Sequence, residues 1–194
     1  MNQIPREFYA RDTLTVAREL LGNYLVRVYN GEALVCRITE TEAYIGRCDK
    51  ACHAYGGRRT KRTQTLFARP GTAYIYLIYG MYSCLNLVTE AEDEPAAVLI
   101  RGAEPVSGLE TMTGLRYPKQ DSALSAYQRK NFMNGPGKLC KALDLDTSQN
   151  GVDLTGSTLY VAFSGEAPRP IQCGPRIGID YAEEAVDFPW RFWI

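Results

Sequence analysis

Two β-hairpin signals constrain the fold of this chain more than any other feature of its sequence. Residues 23–29 are rich in β-branched and aromatic side chains, and Asn30-Gly31, a strong tight-turn dipeptide, connects them to a return strand that begins near residue 33. Residues 73–79 alternate with period two, and Gly80-Met81 is predicted to reverse the chain through a type II′ turn. Further strands are predicted over residues 82–89, 96–101, 158–163 and 176–179. Because hairpins rather than helical crossovers join most of these strands, the pattern predicts an antiparallel α+β fold.

Helices are predicted around this sheet, and no linker or repeat divides the chain. The helix predicted over residues 12–22 has Asp12 or Thr13 as its capping residue and Gly22 at its end. Shorter helices are predicted over residues 64–68, 109–115 and 138–143. A length of 194 residues is sufficient for one sizeable core, so residues 1–194 are predicted to form a single domain. The apolar segment 188–194 is expected to pack back against that core.

The composition excludes several classes of protein. Hydrophobic residues make up 45% of the chain and charged residues 23%, which is typical of soluble globular proteins. No apolar run approaches the roughly 20 residues that span a bilayer, and the polar N-terminus lacks the apolar core of a signal peptide. The six cysteines are therefore expected to be reduced thiols in a cytoplasmic protein. A net charge of zero argues against non-specific coating of nucleic acid, but it allows a compact basic patch.

One segment, from Glu40 to Asn86, concentrates the residues that can carry a function. Residues 51–89 contain no Asp or Glu, although the whole chain carries equal numbers of acids and bases. The segment combines the cations Arg58, Arg59, Lys61 and Arg62 with the tyrosines Tyr44, Tyr76 and Tyr79. Cations suit a phosphate backbone and flat rings suit exposed bases, so the pattern favours a nucleic-acid surface. A solvated basic face and ordinary core tyrosines are the alternatives.

Two carboxylates follow the predicted return strand. Alternation puts the apolar residues 34, 36 and 38 on one side, and continuing the count adds Glu40, Glu42 and Tyr44 to that same side. Carboxylates on a core-facing side are costly without a purpose. Glu42, beside aromatic rings, is a candidate general base that activates a water, whereas Glu40 is assigned a structural role. A strand-end ion pair, or an acid/base pair that hydrolyses a sugar bond, also fits this spacing.

The remaining motifs are less specific. His53 is the single histidine, and Cys48-x-x-x-Cys52-His53 lacks the second Cys/His pair of a zinc site, so no metal is expected. Gly135-Pro136-Gly137-Lys138 lacks the full phosphate-loop pattern and indicates at most a helix start that meets a phosphate. On these residues alone the chain is a candidate nucleic-acid enzyme. A non-catalytic nucleic-acid-binding module and a hydrolase of free nucleosides or small glycosides remain open.

Several motifs in the same order point to one family. They are Glu40-Thr41-Glu42-Ala43-Tyr44, Ala51-Cys52-His53, Gly56-Gly57-Arg58, residues 76–82 with Leu85-Asn86, residues 98–101 with Glu104-Pro105, residues 135–143, residues 175–179, and the Trp-Arg-Phe-Trp end. Together they span nearly the whole chain, and they resemble the alkyladenine (3-methyladenine) DNA glycosylases of the Mpg/Aag type. The resemblance implies a single α+β domain with a curved, mainly antiparallel sheet, surrounding helices and a protruding β-hairpin.

The resemblance also implies an activity in base-excision repair. Such an enzyme flips an alkylated or deaminated purine (3-methyladenine, 7-methylguanine, hypoxanthine or ethenoadenine) out of duplex DNA and hydrolyses its N-glycosidic bond. Glu42 would activate the water that attacks the sugar C1′, and Arg101 would help to position that water and Glu42. No lysine matches a Schiff-base nucleophile in the family pattern, so a monofunctional enzyme that leaves an abasic site is expected.

The binding roles follow from the same resemblance. Tyr44 and Tyr76 would stack on the flipped base, His53 would lie at its edge, and Asn86 on the pocket floor would crowd out the exocyclic amine of normal guanine. Tyr79 would enter the minor groove and occupy the vacated space. Contacts to the DNA backbone are assigned to Arg58, Arg59, Lys61, Arg62 and Lys138. The expected partner is double-stranded DNA containing damaged purines, bound by a monomer without cofactor or membrane contact, at the nucleoid or, in a eukaryote, in the nucleus.

Overall fold

Within residues 1–119, 123–167 and 169–194, which the computed structural model describes, eight strands form one curled antiparallel sheet. The strands are Tyr24–Tyr29 (β1), Glu32–Ile45 (β2), Ala73–Ile78 (β3), Tyr82–Thr89 (β4), Ala96–Ser107 (β5), Leu159–Ala162 (β6), Gln172–Gly174 (β7) and Arg191–Trp193 (β8). The order across the sheet is β3-β4-β5-β2-β1-β6, and β8 pairs with both β2 and β7. The predicted α+β fold with its antiparallel sheet is confirmed.

Five helices pack around the sheet in the part of the chain that is described. They are Arg6–Tyr9 (α1), Thr13–Glu19 (α2), Leu109–Arg116 (α3), Ala126–Lys130 (α4) and Pro136–Ala142 (α5). Short 3₁₀ turns cover Gly46–Cys48, Tyr55–Gly57, Gln64–Phe67, Thr147–Gln149 and Glu183–Asp187. Of the two predicted capping residues it is Asp12 that caps α2, since its side chain accepts the Thr15 N–H at 2.8 Å. Helix α5 begins at Pro136, because the fixed φ of proline suits a first helical turn.

The main core lies between the sheet and the helices α2 and α5. Leu20 beside α2, Leu139 on α5 and Ile100 on β5 are completely buried within it. Burial of one such side chain stabilises the fold by roughly 1.5–3 kcal/mol. Two smaller apolar clusters lie away from this core, and both pack against Tyr44. The sheet therefore provides a rigid support from which side chains can project towards a site.

A β-bulge in β2 decides which side chains project in that way. Pairing with β5 slips between Ile38 and Glu40 and again between Glu40 and Thr41. Ile38 is buried in the main core, yet beyond the bulge it is Thr41 that faces α2, where its hydroxyl donates to the Ala17 carbonyl at 2.8 Å. The prediction that Glu40, Glu42 and Tyr44 share a side with Leu34, Cys36 and Ile38 is therefore wrong. The extra residue inverts the alternation, as bulges do.

The C-terminal part of the chain differs in one respect from the prediction. The strand predicted over residues 176–179 is wrong, since these residues form an irregular loop after the short strand β7. Phe192 on β8 is completely buried, and β8 pairs with β2 over Glu40–Glu42, so the expected return of the C-terminus is confirmed. Within the described residues, no helix has the length and apolar character needed to cross a membrane.

Candidate active site

A cavity of about 390 Å³ opens on the side of β2 that faces away from the main core. Strands β2 to β5 provide its floor, and the irregular segment 177–181 provides one wall. The volume falls in the range of roughly 300–1,000 Å³ that is usual for small-molecule sites. Its aromatic lining consists of Tyr44, His53, Tyr74, Tyr76, Tyr79 and Tyr181. Among the described residues that line the cavity, Arg62 and Arg101 are cationic and Glu42 is acidic.

Glu42 is completely buried in the floor of this cavity. One carboxylate oxygen accepts the Tyr44 hydroxyl at 2.8 Å, and the other accepts the Ile177 backbone N–H at 2.9 Å. The Arg101 Nε lies 3.6 Å from the second oxygen. Burial raises the pKa of Glu42, while Arg101 and the two hydrogen bonds act in the opposite direction. The carboxylate is therefore held in one orientation beside a cavity and a cation.

The neighbouring carboxylate, Glu40, has different surroundings. Its Oε1 accepts hydrogen bonds from Arg101 Nε and from Arg191 Nη1, each at 3.0 Å. Arg191 lies on β8, so Glu40 joins the C-terminal strand to the cavity wall. Arg101 thereby contacts both carboxylates, and its guanidinium is fixed between them. Glu40 is engaged in ion pairs, whereas Glu42 is the carboxylate that lines the cavity.

Three aromatic rings form a cluster in the lining of the cavity. His53 and Tyr76 pack edge to face with centroids 4.5 Å apart, and Tyr74 and Tyr76 are tilted with centroids 5.4 Å apart. His53 Nδ1 lies 3.1 Å from the Tyr74 hydroxyl. Burial, together with the nearby Arg62 cation, lowers the pKa of His53 to about 4, so this imidazole is neutral near pH 7. Tyr74 was not among the predicted site residues, although it shares a face of β3 with Tyr76.

Asn86 and Cys84 extend the cavity floor along β4. The Asn86 amide donates to the carbonyls of Tyr74 at 3.2 Å and Cys84 at 3.3 Å, so its orientation is fixed. Burial raises the pKa of the Cys84 thiol to about 11, and the thiol therefore stays protonated. Cys84 is a lining residue that the sequence reasoning missed, although its even spacing from Asn86 on a strand signals a shared side.

Tyr79 occupies the tip of the β3–β4 hairpin. It is 83% exposed, and the turn closes with the Met81 N–H donating to the Ile78 carbonyl at 3.2 Å. Tyr79 and Gly80 are the central residues, with φ of 53° and 69°, so the predicted type II′ turn beginning at Gly80 is wrong. Positive φ at both positions is the type I′ pattern. The Tyr79 ring therefore projects into solvent from a backbone conformation that is unfavourable for a non-glycine residue.

An irregular loop positions the N–H that binds Glu42. Arg176, next to Ile177, is buried and forms a bidentate ion pair with Asp49 at 2.6 and 2.8 Å. Arg176 also donates to the carbonyls of Ala43 and Ala185, and its guanidinium carbon lies 4.8 Å from the centroid of the Tyr44 ring and 5.0 Å from that of Trp190. The role of Arg176 was missed because its segment was predicted as a strand. The segment belongs, however, to one of the motifs that carry the resemblance.

Comparison with known proteins identifies the family. The model of the methylpurine-DNA glycosylase family matches residues 7–194. The chain belongs to this family. The resemblance inferred from the sequence motifs is thereby confirmed.

Members of the family with similar sequences occur in several bacteria. A protein of Clostridium perfringens (strain SM101) is 55% identical over 195 residues, which cover 99% of this chain and 95% of the relative. A protein of Desulfitobacterium hafniense (strain Y51) is 51% identical, covering 100% of this chain and 96% of the relative. A third, from Bacillus cereus (strain AH820), is 50% identical with coverages of 98% and 95%. Each carries the name “Putative 3-methyladenine DNA glycosylase”.

The cations that the family resemblance assigns to the DNA backbone differ in their surroundings. Arg58 and Lys61 are exposed, and their side chains have no partner among the described residues. Arg59 forms an ion pair with Asp93, which reaches it from outside the acid-free span of the sequence. The Lys138 ammonium donates to the amide oxygens of Asn131 at 3.1 Å and Asn134 at 2.8 Å, and both of these acceptors are neutral.

Arg62, which the resemblance also assigns to the DNA backbone, lies against the aromatic cavity. Its Nη2 is 3.4 Å from His53 Nε2, and its guanidinium carbon is 5.2 Å from the centroid of the Tyr76 ring. In the described part of this family member, no group of three or more His, Cys, Asp or Glu residues could hold a metal ion. The six cysteines are all free thiols.

Proposed function

We propose that this protein is a DNA glycosylase of base-excision repair that hydrolyses the N-glycosidic bond of alkylated or deaminated purines in double-stranded DNA. The substrates proposed are 3-methyladenine, 7-methylguanine, hypoxanthine and ethenoadenine. The product is an abasic site, and the enzyme acts as a monomer. Membership of the methylpurine-DNA glycosylase family and the names of its bacterial relatives support this class of activity.

One observation carries the proposal: the buried Glu42 carboxylate at the base of an aromatic cavity, beside Arg101. A carboxylate fixed by Tyr44 and Ile177 can accept a proton from a water molecule that approaches from the cavity. In this mechanism that water attacks C1′ of the nucleotide while its base lies between the rings, and Arg101 orients both the carboxylate and the water. Glu42 is thus the catalytic base.

A base inside a duplex cannot reach this cavity, so the enzyme must extrude it. Extrusion costs a few kcal/mol, and less for a damaged or mispaired base. Stacking is worth about 1–3 kcal/mol per base, so neither the cavity rings nor Tyr79 alone would offset that energy. We assign Tyr44 and Tyr76 to stacking on the flipped base and the exposed Tyr79 to filling the vacated space in the duplex. Together these stacking interactions would roughly balance the free-energy cost of extruding the base.

The leaving group determines how much catalysis the protein must provide. Alkylation at N3 or N7 makes a purine cationic, which weakens its glycosidic bond and suits it to tyrosine faces. Asn86, fixed on the cavity floor, would exclude normal guanine by contact with its exocyclic amine. No lysine is among the described residues that line the cavity, which supports hydrolysis by water over a Schiff-base mechanism. We therefore infer that the enzyme is monofunctional.

Substitution of Glu42 by glutamine tests the catalytic role. The glutamine oxygen can still accept the Ile177 N–H, but the side chain cannot take a proton from water. We expect base release from a hypoxanthine-containing duplex, detected by alkaline cleavage at abasic sites, to fall by about 10²–10⁴-fold or more. Binding of the same duplex, measured by fluorescence anisotropy, should persist.

Glu7→Gln is the matched control, because Glu7 is an exposed carboxylate on α1 that is not among the residues lining the cavity. It should release hypoxanthine at the wild-type rate. Wild-type-like turnover in Glu42→Gln would remove Glu42 from its role. Binding without base release from any of the four lesions in the wild-type protein would favour the non-catalytic module instead. Activity confined to free nucleosides would favour a nucleoside hydrolase.

A further inference from the structure

The Arg62 side chain lies at the mouth of the cavity and is not confined to the outer surface. It is exposed to solvent, yet it lines the same cavity as Glu42. One of its N–H groups points to His53 Nε2 at 3.4 Å. Because arginine only donates, this nitrogen of His53 is the acceptor, and the proton of the neutral imidazole is assigned to Nδ1, facing the Tyr74 hydroxyl. The guanidinium is also within hydrogen-bonding range of the Tyr74 hydroxyl, and its remaining N–H groups are available to a ligand.

The charge of Arg62 is not neutralised. Among the described residues no carboxylate lies within ion-pair distance of it, whereas Arg101, the other cation of the cavity, contacts Glu40 and Glu42. Asp49, which lies near the cavity, is engaged by Arg176. A purine that enters next to His53 and Tyr76 therefore meets one unpaired positive charge.

The Arg62 guanidinium also occupies part of the Tyr76 ring face, which is a surface of the cavity that attracts cations. Its guanidinium carbon lies over the Tyr76 ring, 5.2 Å from the centroid. A cationic base that stacks on this ring gains less from the electron-rich face when a guanidinium already occupies part of it. A neutral purine meets no such repulsion, and its ring nitrogens and carbonyl oxygens can accept the remaining N–H groups of Arg62.

We propose that Arg62 is a specificity-determining residue that favours neutral damaged purines over cationic ones in this cavity. The inference rests on the proposed glycosylase function and assigns to one residue the balance between two classes of lesion. Arg62 raises the rate of release of bases such as hypoxanthine relative to bases such as 7-methylguanine. It acts through its charge and its hydrogen bonds to the base, and not as a phosphate ligand.

The test measures single-turnover release from two duplexes of identical sequence, one with hypoxanthine and one with 7-methylguanine. For Arg62→Gln we expect the ratio of the two rates to shift towards 7-methylguanine by about tenfold, the order of magnitude expected for one nearby charge in a partly solvated site. Arg62→Lys, which keeps the charge, should retain most of the wild-type ratio. Since Arg62 is exposed, the substitutions should leave the melting temperature nearly unchanged.

Lys61→Gln is the matched control, because Lys61 is the neighbouring exposed cation and is not among the cavity residues. Loss of a phosphate contact should slow both releases by the same factor at subsaturating enzyme and reduce the salt dependence of duplex binding by about one unit of log–log slope. Arg62→Gln should leave that slope unchanged.

The outcomes separate the inference from the function on which it rests. A wild-type protein that releases neither base refutes the proposed function. A wild-type protein that releases both, with an Arg62→Gln variant that slows both equally and has a smaller salt slope, refutes the specificity role and makes Arg62 a phosphate contact. A ratio shift towards hypoxanthine also overturns the inference.

Discussion

At the scale of single residues, Glu42 combines two demands that oppose each other. A general base must be ionised to accept a proton, but a carboxylate enclosed by protein is less stable in its ionised form. The Tyr44 hydroxyl, the Ile177 N–H and Arg101 each stabilise the ionised form, yet burial remains the largest influence and raises the pKa of Glu42. The ionised side chain is therefore expected to lower the stability of the protein, as is common at functional sites.

Because burial of the ionised Glu42 is unfavourable, substitution of Glu42 by glutamine is predicted to increase stability by an amount that depends on pH. Because the folded pKa of Glu42 lies above its unfolded value, the folded state binds more protons between the two values, and stability falls as the pH rises through that interval. Glu42→Gln removes this loss. Its melting temperature should exceed that of the wild type at pH 7, and the difference should shrink as the pH falls below the raised pKa.

Thermal unfolding of both proteins between pH 7 and pH 4 measures this difference. If the difference between the two melting temperatures does not change between pH 7 and pH 4, the pKa of Glu42 is not raised in the folded protein. His53→Gln is a second variant for this experiment, because the contribution of His53 to stability changes with pH in the opposite direction. The pKa of His53 is about 4 in the folded protein, below its ordinary value of about 6.5. The unfolded state therefore binds more protons between these two pH values, and the folded protein loses stability as the pH falls through this interval.

At the scale of elements, alternation and turn signals predicted most of the sheet but not its irregularities. Both hairpins, the strand β6 and the helices α2, α3 and α5 lie where the pattern places them, because periodicity and capping are local properties. The bulge in β2 depends on pairing with β5, and nothing in the spacing of residues 34–44 reveals an inserted residue. The loop 175–179 has a strand-like composition, but its polar groups bind Glu42 and Asp49 instead of a neighbouring strand.

The β3–β4 hairpin makes a prediction about its tip. Tyr79 has a positive φ, which costs a non-glycine residue about 1–3 kcal/mol, so Tyr79→Gly should preserve or raise the melting temperature. The same change removes the ring proposed to fill the duplex, and affinity for a hypoxanthine duplex should fall by roughly 5- to 150-fold, equivalent to about 1–3 kcal/mol of stacking.

Tyr79→Phe serves as the control for this pair of measurements, because it keeps the ring on the same backbone. Its affinity for the lesion duplex should remain close to that of the wild type. If Tyr79→Gly binds the duplex as tightly as Tyr79→Phe does, the tip does not enter DNA, whatever happens to the melting temperature.

At the scale of the whole molecule, the candidate active site is assembled from distant parts of the chain. Glu42 and Arg101 come from adjacent strands, whereas the N–H that binds Glu42 comes from residue 177, and Arg191 near the C-terminus binds Glu40. The pair Asp49–Arg176 holds the C-terminal segment against β2 with both side chains completely buried. Removal of one member would leave the other charge buried without a partner.

Asp49→Asn should therefore destabilise the protein by about 3–5 kcal/mol, since it breaks a buried ion pair from one side. For a chain of this size that corresponds to a fall in melting temperature of roughly 6–20 °C. Glu19→Gln is the control, because it breaks the exposed pair with Arg11, and such pairs contribute about 0–1 kcal/mol.

Base release at a temperature where Asp49→Asn is still folded should also be slower, since the Ile177 N–H is no longer held against Glu42. Equal melting temperatures for the two variants would contradict the anchoring role, and full activity in folded Asp49→Asn would show that the loop is positioned by other contacts.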